Sequence, residues 1–250
     1  MSHILVVDVG NSRMKWALVA VRGVVAQGAI PVAEIGTLAL RDWQNLPRPA
    51  SAYGVNVAGE AARVRVEGQL TRWRIGIHWL VPRARACGVV NRYAQPAQLG
   101  ADRWASVVAA RQRMLKAGGP PAPLVVVNAG TAVTVDTLSA EGVFLGGFIL
   151  PNMRLMLRAL AENTAALKIP AGGFDPFPTS TPDALYTGAL SAVCGAIEMA
   201  RHRAAPEAPS VRCFVAGGAA HELVPHLALP VEVVDNLVLE GVLAIAAERG

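Results

Sequence analysis

No apolar run in this 250-residue chain approaches the roughly 20 residues a membrane-spanning helix needs. The N-terminus has no basic region and reaches Asp8 after a very short apolar run, so a signal peptide is not expected there. Cysteine is scarce. Cys87, Cys194 and Cys213 show no metal or redox spacing and read as buried thiols in a reducing compartment. Lysine is scarcer still for a basic protein: Lys15, Lys116 and Lys168 are the only ones, so arginine supplies nearly all the positive charge. Charged residues make up 16% of the chain and hydrophobic ones 53%, which excludes disorder and leaves ample material for cores. The expectation is a soluble, cytoplasmic protein with no membrane association. Its length suits one large domain or two ordinary ones.

The net charge is +5 and the isoelectric point about 9.6. Arg63, Arg65, Arg72, Arg74, Arg83 and Arg85 cluster loosely, but no nucleic-acid motif accompanies them. A solvated arginine-rich face is the expected reading, with no nucleic-acid partner. An acidic substrate, such as a nucleotide or a carboxylate, fits the same positive balance.

The most informative stretch runs from Asp8 to Lys15, DVGNSRMK, between the apolar runs Ile4-Leu5-Val6-Val7 and Trp16-Ala17-Leu18. This is the pattern of strand, tight turn, strand. Gly10 can take positive φ without steric cost, and Asn11 and Ser12 suit the same turn. Such a turn can gather backbone N–H groups into a concavity that suits phosphate. Asp8, at the end of a buried strand, can reach Mg²⁺ or its waters. Alone, the segment reads more readily as a plain hairpin that happens to carry these residues, since D-x-G-N is a short and common string. A second segment changes the balance. Residues 124–138, LVVVNAGTAVTVDTL, lie over residues 4–18 so that Val126, Val127, Gly130 and Leu138 meet Val6, Val7, Gly10 and Leu18. Asn128 then meets Asp8, and Thr131 meets Asn11. A strand–glycine turn–strand unit opening both halves points to duplication of a phosphate-binding hairpin, the two copies facing across a cleft.

Between and after these hairpins, strands alternate with helices, which implies a parallel or mixed sheet covered on both faces. Residues 23–30 read as a short strand pair, and 32–46 as a helix and its approach. Strands are expected over 50–58 and 75–81, with a helix over 60–73 between them. From Ala101 the apolar residues Ala101, Trp104, Ala105, Val108 and Leu115 fall at helical spacing. Asp102 then lies in the first turn, where it can complement the helix dipole or serve as a carboxylate in the cleft beside Arg103. Residues 116–123, KAGGPPAP, read as a linker. They place a boundary between domains at 1–118 and 119–250. In the second half a strand over 143–150 precedes a helix over 152–167, ended by Pro170. Thr181 reads as an N-cap with Pro182 as the first helical residue, and its hydroxyl could also touch a ligand. The strand Val211 to Ala216 meets Gly217-Gly218, which fits either a nucleotide lying on the backbone or a plain tight turn.

Taken together, DVGNS at 8–12, GADRWASVVAA at 100–110, NAGTAVTVD at 128–136, GGFILPN at 146–152 and the glycine pair after Ala216 resemble the type III pantothenate kinases. The most specific part is GADR with the upstream Tyr93. Some relatives of this kind are called Bvg accessory factors, after an effect on virulence-gene transcription. The superfamily also holds sugar kinases, actin and heat-shock chaperones. The resemblance implies an α/β protein of two ribonuclease H-like domains, each a mixed sheet flanked by helices, with a cleft between them, and a homodimer. It implies ATP-dependent phosphorylation of pantothenate to 4′-phosphopantothenate, the first step of coenzyme A biosynthesis. ATP with Mg²⁺ is expected on Asp8, Val9, Gly10, Asn11, Ser12, Arg13, Met14 and Lys15, with Thr131 at the phosphates and Asp8 holding the metal through water. Pantothenate is expected on Tyr93, Gly100, Ala101, Asp102 and Arg103, with Asp102 as the catalytic base. Thr181 falls where the family has a substrate-contacting threonine reached across the dimer. Where the family carries an aspartate that holds K⁺ or NH₄⁺, this chain has Asn128. Two other classes stay open on the residues. One is another superfamily small-molecule kinase or a polyphosphatase; the other is a non-catalytic nucleotide-binding regulatory protein. Retention of both Asp8 and Asp102 favours turnover.

Overall fold

A computed structural model describes residues 3–163, 172–206 and 211–249. Residues up to Gly119, together with those from Asn236 onward, form one compact unit, and Pro120–Asp235 forms the other. In chain order the first unit contributes β1 (Ile4–Val9), β2 (Arg13–Ala20), β3 (Gly23–Pro31), β4 (Ser51–Asn56), α1 (Glu60–Leu70), β5 (Ile77–Trp79), β6 (Arg85–Ala86), β7 (Val89–Asn91) and α2 (Ala101–Ala117). The second contributes β8 (Leu124–Ala129), β9 (Ala132–Leu138), β10 (Val143–Pro151), α3 (Met153–Asn163), α4 (Thr181–Ala204), β11 (Arg212–Ala216), α5 (Ala220–Leu223) and β12 (Val231–Val233). The final helix, α6 (Leu237–Arg249), packs on α2, β1 and β4. A boundary at residue 118 groups α6 with the second half, whereas its apolar residues Leu237, Leu239, Val242 and Ile245 are buried in the first unit.

In the first unit the main sheet runs β3-β2-β1-β4-β5. β1 pairs antiparallel with β2 and parallel with β4, so it is central and shielded on both edges. Strand alternation sorts its residues. Leu5, Val7 and Val9 join Met14, Trp16 and Leu18 of β2 in a core closed by α1 and by Trp43 and Trp73. Val6 and Asp8 point to the opposite face, with Lys15 across from Asp8 on β2 and Val55 beside it on β4. That face is the one α2 and α6 cover.

In the second unit the strands follow the order β12-β11-β8-β9-β10, with β8 antiparallel to β9 and parallel to β11. With β8 in the place of β1, this is the same strand plan. The repeat is therefore architectural as well as sequential, and each unit is the expected mixed sheet flanked by helices.

Several local expectations change. Residues 23–31 are one strand paired with β2, not a strand pair. Residues 32–40 form a 3₁₀ helix, not an α-helix, starting at Pro31 without a side-chain cap. Leu115 is exposed, while every residue from Arg103 to Ala110 is buried, so the helical spacing marks only part of what α2 buries. Cys87 is half-buried in a left-handed turn at φ 48°; Cys194 and Cys213 are buried as expected, and all three thiols are free. The helix expected over 152–167 is α3 as far as Asn163; its proposed end at Pro170 lies outside the described residues. Among the described residues no helix is long and apolar enough to cross a membrane.

The tightest helix contact is backbone on backbone. A Cβ on Gly241 of α6 would lie 1.8 Å from the Ala105 carbonyl oxygen of α2. Neither backbone can yield without separating the two helices. Gly241→Ala should cost roughly 3 kcal/mol and lower Tm by roughly 5–10 °C in a chain of this size. Calorimetry showing an unchanged Tm would mean that α6 does not dock in this way.

Candidate active site

The first hairpin is built around Asp8. Gly10 closes the turn through its N–H, which donates to the Arg13 carbonyl at 3.1 Å. Gly10 does not take positive φ; a Cβ there would come within 3.3 Å of that same carbonyl, a tight contact. The Gly10 N–H is thus already used, and Asn11 to Arg13 form the exposed tip. Val9 and Met14 are fully buried in the core, so they can offer a ligand only backbone. Lys15 is half-buried and directly across the strand pair from Asp8.

The second element is the start of α2. Gly100 is the N-cap, and its carbonyl accepts the Trp104 N–H at 2.9 Å. The Asp102 Oδ1 accepts the Arg103 N–H at 2.8 Å, which folds the carboxylate back over Gly100. A Cβ at residue 100 would meet that oxygen at 2.7 Å, so the Asp102 carboxylate would have to move from this seat. The Ser106 hydroxyl donates to the Asp102 carbonyl at 3.0 Å and is itself buried. Arg103 is 6% exposed, and its Nη1 donates to the Tyr93 hydroxyl at 3.2 Å. Tyr93, Gly100, Ala101, Asp102 and Arg103 thus form one cluster in the first unit.

Asp8 and Asp102 oppose each other electrically. Burial above all, and the Asp102 charge second, raise the Asp8 pKa to about 7, with the Lys15 charge pulling against both. A carboxylate so short of positive charge is a suitable partner for a divalent cation. Among the described residues no three His, Cys, Asp or Glu side chains converge on one point.

In the second unit the repeat turn is one residue tighter. Ala129 pairs with Val133 there, where Val9 pairs with Met14 in the first hairpin, and the Gly130 N–H donates to the Ala132 carbonyl at 3.0 Å. The overlay of Leu138 on Leu18 therefore slips, because the register partner of Leu124 is Leu138 while that of Ile4 is Val19. Thr131 is exposed at the tip. The Asn152 amide donates to the Gly130 carbonyl at 2.9 Å, a clamp that nothing in the hairpin sequence announces. Asn128 is half-buried, and its Nδ2 lies 3.5 Å from the Thr134 hydroxyl. Gly217, at φ 101°, lies so close to Ala129 that a Cβ would be 2.4 Å from its carbonyl oxygen, so the glycine pair packs directly on the β8 turn. Thr181 does not cap α4. Ser180 does, accepting the Asp183 N–H at 3.3 Å, so the exposed Thr181 hydroxyl lies outside the cap.

A family model for type III pantothenate kinases matches residues 4–203. The chain is 45% identical over 250 residues to a type III pantothenate kinase of Paracidovorax citrulli, with 98% of each chain covered. It is 46% identical over 253 residues to one of Methylibium petroleiphilum, with 99% of each covered. Among solved structures, a Baf-family transcriptional activator of Campylobacter jejuni superposes with a TM-score of 0.66 at 21% identity, over 98% of each chain. A 2-dehydro-3-deoxygalactonokinase of Sinorhizobium meliloti does so with a TM-score of 0.58 at 16% identity, over 98% of this chain and 97% of its own. Both share the fold.

The raised Asp8 pKa makes a prediction about the ligand-free protein. A carboxylic acid whose folded pKa lies above its unfolded one stabilises the fold fully below the unfolded value and loses that contribution as pH rises through the folded value. The window here runs from 3.8 to about 7. Asp8→Asn mimics the neutral form, so its Tm should exceed that of the wild type at pH 8, and the gain should shrink steadily as pH falls through that window. Parallel melting curves for the two proteins across the window would overturn the assignment.

Proposed function

The chain belongs to the type III pantothenate kinase family, and we infer from this that it catalyses ATP-dependent phosphorylation of pantothenate, the entry step of coenzyme A biosynthesis. The observation that carries the reading within the molecule is the seating of Asp102 over Gly100, beside the buried Arg103–Tyr93 pair. A coupled ADP-release assay with pantothenate as acceptor tests it directly, and no release above the acceptor-free background would overturn it.

Phosphoryl transfer asks for positioning and charge neutralisation more than covalent chemistry. Asp102 is the proposed base. It takes the proton of the terminal hydroxyl while that oxygen bonds to the γ-phosphorus; the bond from phosphorus to the β–γ bridging oxygen breaks, and ADP leaves. Arg103, held by Tyr93, orients the acceptor. In the first hairpin the tip from Asn11 to Arg13 and the Lys15 ammonium meet the nucleotide, with Val9, Gly10 and Met14 contributing backbone. In the second unit Thr131 is proposed as a phosphate contact. Mg²⁺ supplies neutralisation of phosphate charge, and Asp8 is the residue that would hold it.

Three finer assignments belong to the same proposal. One is a homodimer in which the exposed Thr181 hydroxyl reaches the partner's substrate; its position outside the helix cap supports this. Another is a cytoplasmic setting, supported by three free thiols. The third concerns the monovalent cation. Asparagine offers a neutral carbonyl oxygen where aspartate offers a full charge. A unit charge pair about 4 Å apart is worth about 4 kcal/mol at an effective dielectric of about 20, before desolvation. Losing half of that weakens a K⁺ site by more than roughly tenfold.

Two predictions follow from these roles. Asp102→Asn should lower kcat by roughly 10²–10⁴-fold while pantothenate still binds; near-normal turnover in a folded variant would return Asp102 to a helix-dipole role. Asn128→Asp should lower the K⁺ concentration at half-maximal activity by roughly tenfold, titrated with Na⁺ holding ionic strength constant. Equal midpoints in the two proteins would remove residue 128 from any cation site.

A further inference from the structure

Tyr93 sits on the loop between β7 and α2. Between β7 and α2, residues Arg92, Ala94, Gln95, Ala97 and Gln98 are exposed, and the first buried residue is Leu99, at the far end. Gln98 fastens that far half to Gln95, by N–H to carbonyl at 3.0 Å and by side chain at 2.7 Å. The Pro96 carbonyl accepts the Leu99 N–H at 3.2 Å. None of these bonds reaches Tyr93.

Asn91 does. It ends β7, is 7% exposed, and is fixed through its own N–H to the Ala84 carbonyl at 2.9 Å. Its Oδ1 accepts the Tyr93 N–H at 3.0 Å, and its Nδ2 donates to the Pro96 carbonyl at 3.3 Å. One side chain thereby ties the near half of the loop to the far half and to the end of β7. The task needs an acceptor and a donor on one short planar group, which asparagine has and aspartate, serine and alanine do not. The hydroxyl of the residue so anchored receives the Arg103 guanidinium, one residue from Asp102.

We propose that Asn91 is a positioning residue for the acceptor substrate: it latches the 92–99 loop so that Tyr93 holds Arg103 ready for pantothenate. The proposal rests on the reading of Tyr93 and Arg103 as substrate contacts given above. It predicts a selective defect. Loss of a buried side chain making two hydrogen bonds should raise the KM for pantothenate by roughly tenfold, with kcat and the KM for ATP unchanged, because Asn91 touches neither Asp102 nor the first hairpin.

The experiment measures ADP release for the wild type, Asn91→Ala, Asn91→Asp, Tyr93→Phe and the double variant Asn91→Ala/Tyr93→Phe, varying each substrate at saturation of the other. Asn91→Asp keeps the acceptor for Tyr93 but turns an anion toward the Pro96 carbonyl, so it should also raise the KM for pantothenate. It is nearly isosteric and carries the test if the alanine variant does not fold. Asn91 is argued to act through the Tyr93 hydroxyl, so Asn91→Ala should add little in the Tyr93→Phe background; a general structural defect would multiply instead. A normal pantothenate KM in Asn91→Ala or Asn91→Asp beside an impaired Tyr93→Phe overturns the proposal alone, as do equal rises for both substrates or fully multiplicative effects. A normal pantothenate KM in Tyr93→Phe overturns the substrate reading, and this proposal with it.

Discussion

Two carboxylates repel each other at the end of the central strand of the first unit, and the surrounding structure is arranged to keep both there. Asp8 is delivered by β1, which is paired on both edges and cannot shift register without turning Asp8 into the tryptophan-lined core. Asp102 is delivered by α2, folded back over a glycine that no other residue could replace without pushing it away. Burial first and this opposition second push the Asp8 carboxyl up to about 7, with Lys15 across the strand pair as partial compensation.

What the sequence made legible was chemistry tied to one local pattern. The apolar run into Asp8, the glycine turn and the GADR string each declare strand, turn or helix start by themselves. The harder features depend on partners distant in the chain. Gly10 suggests positive φ, but the fold does not use one there; what crowds the position is the Arg13 carbonyl. Thr181 before Pro182 looked like a cap, but the Ser180 hydroxyl beside Asp183 forms the better box. Asn91 and Asn152 carry no signal, because an asparagine near a turn is common and only the fold shows which carbonyl its amide reaches. The periodicity of α2 was blurred for a related reason: a helix buried through Arg103–Ala110 has no solvent side to set a stripe.

The two units show how a duplicated hairpin diverges while the strand order stays the same. The first keeps a carboxylate at the strand end and a four-residue tip. The second has an amide there and a tip one residue shorter, braced by Asn152 below and by Gly217 beside it. The carboxylate lies in the hairpin that shares a unit with Asp102.

The placement of α6 bears on the life of the chain before it is an enzyme. The helix that fills one face of the first unit is synthesised only after the whole second unit. A nascent first unit therefore lacks the α6 contacts of β1, β4 and α2 while Pro120–Asp235 is translated, and it is completed only when α6 arrives. Vectorial synthesis thus orders the assembly: the inserted unit can mature early, while the one that bears Asp8 and Asp102 is finished last, so an interrupted chain leaves an open apolar face for chaperones and proteases to recognise.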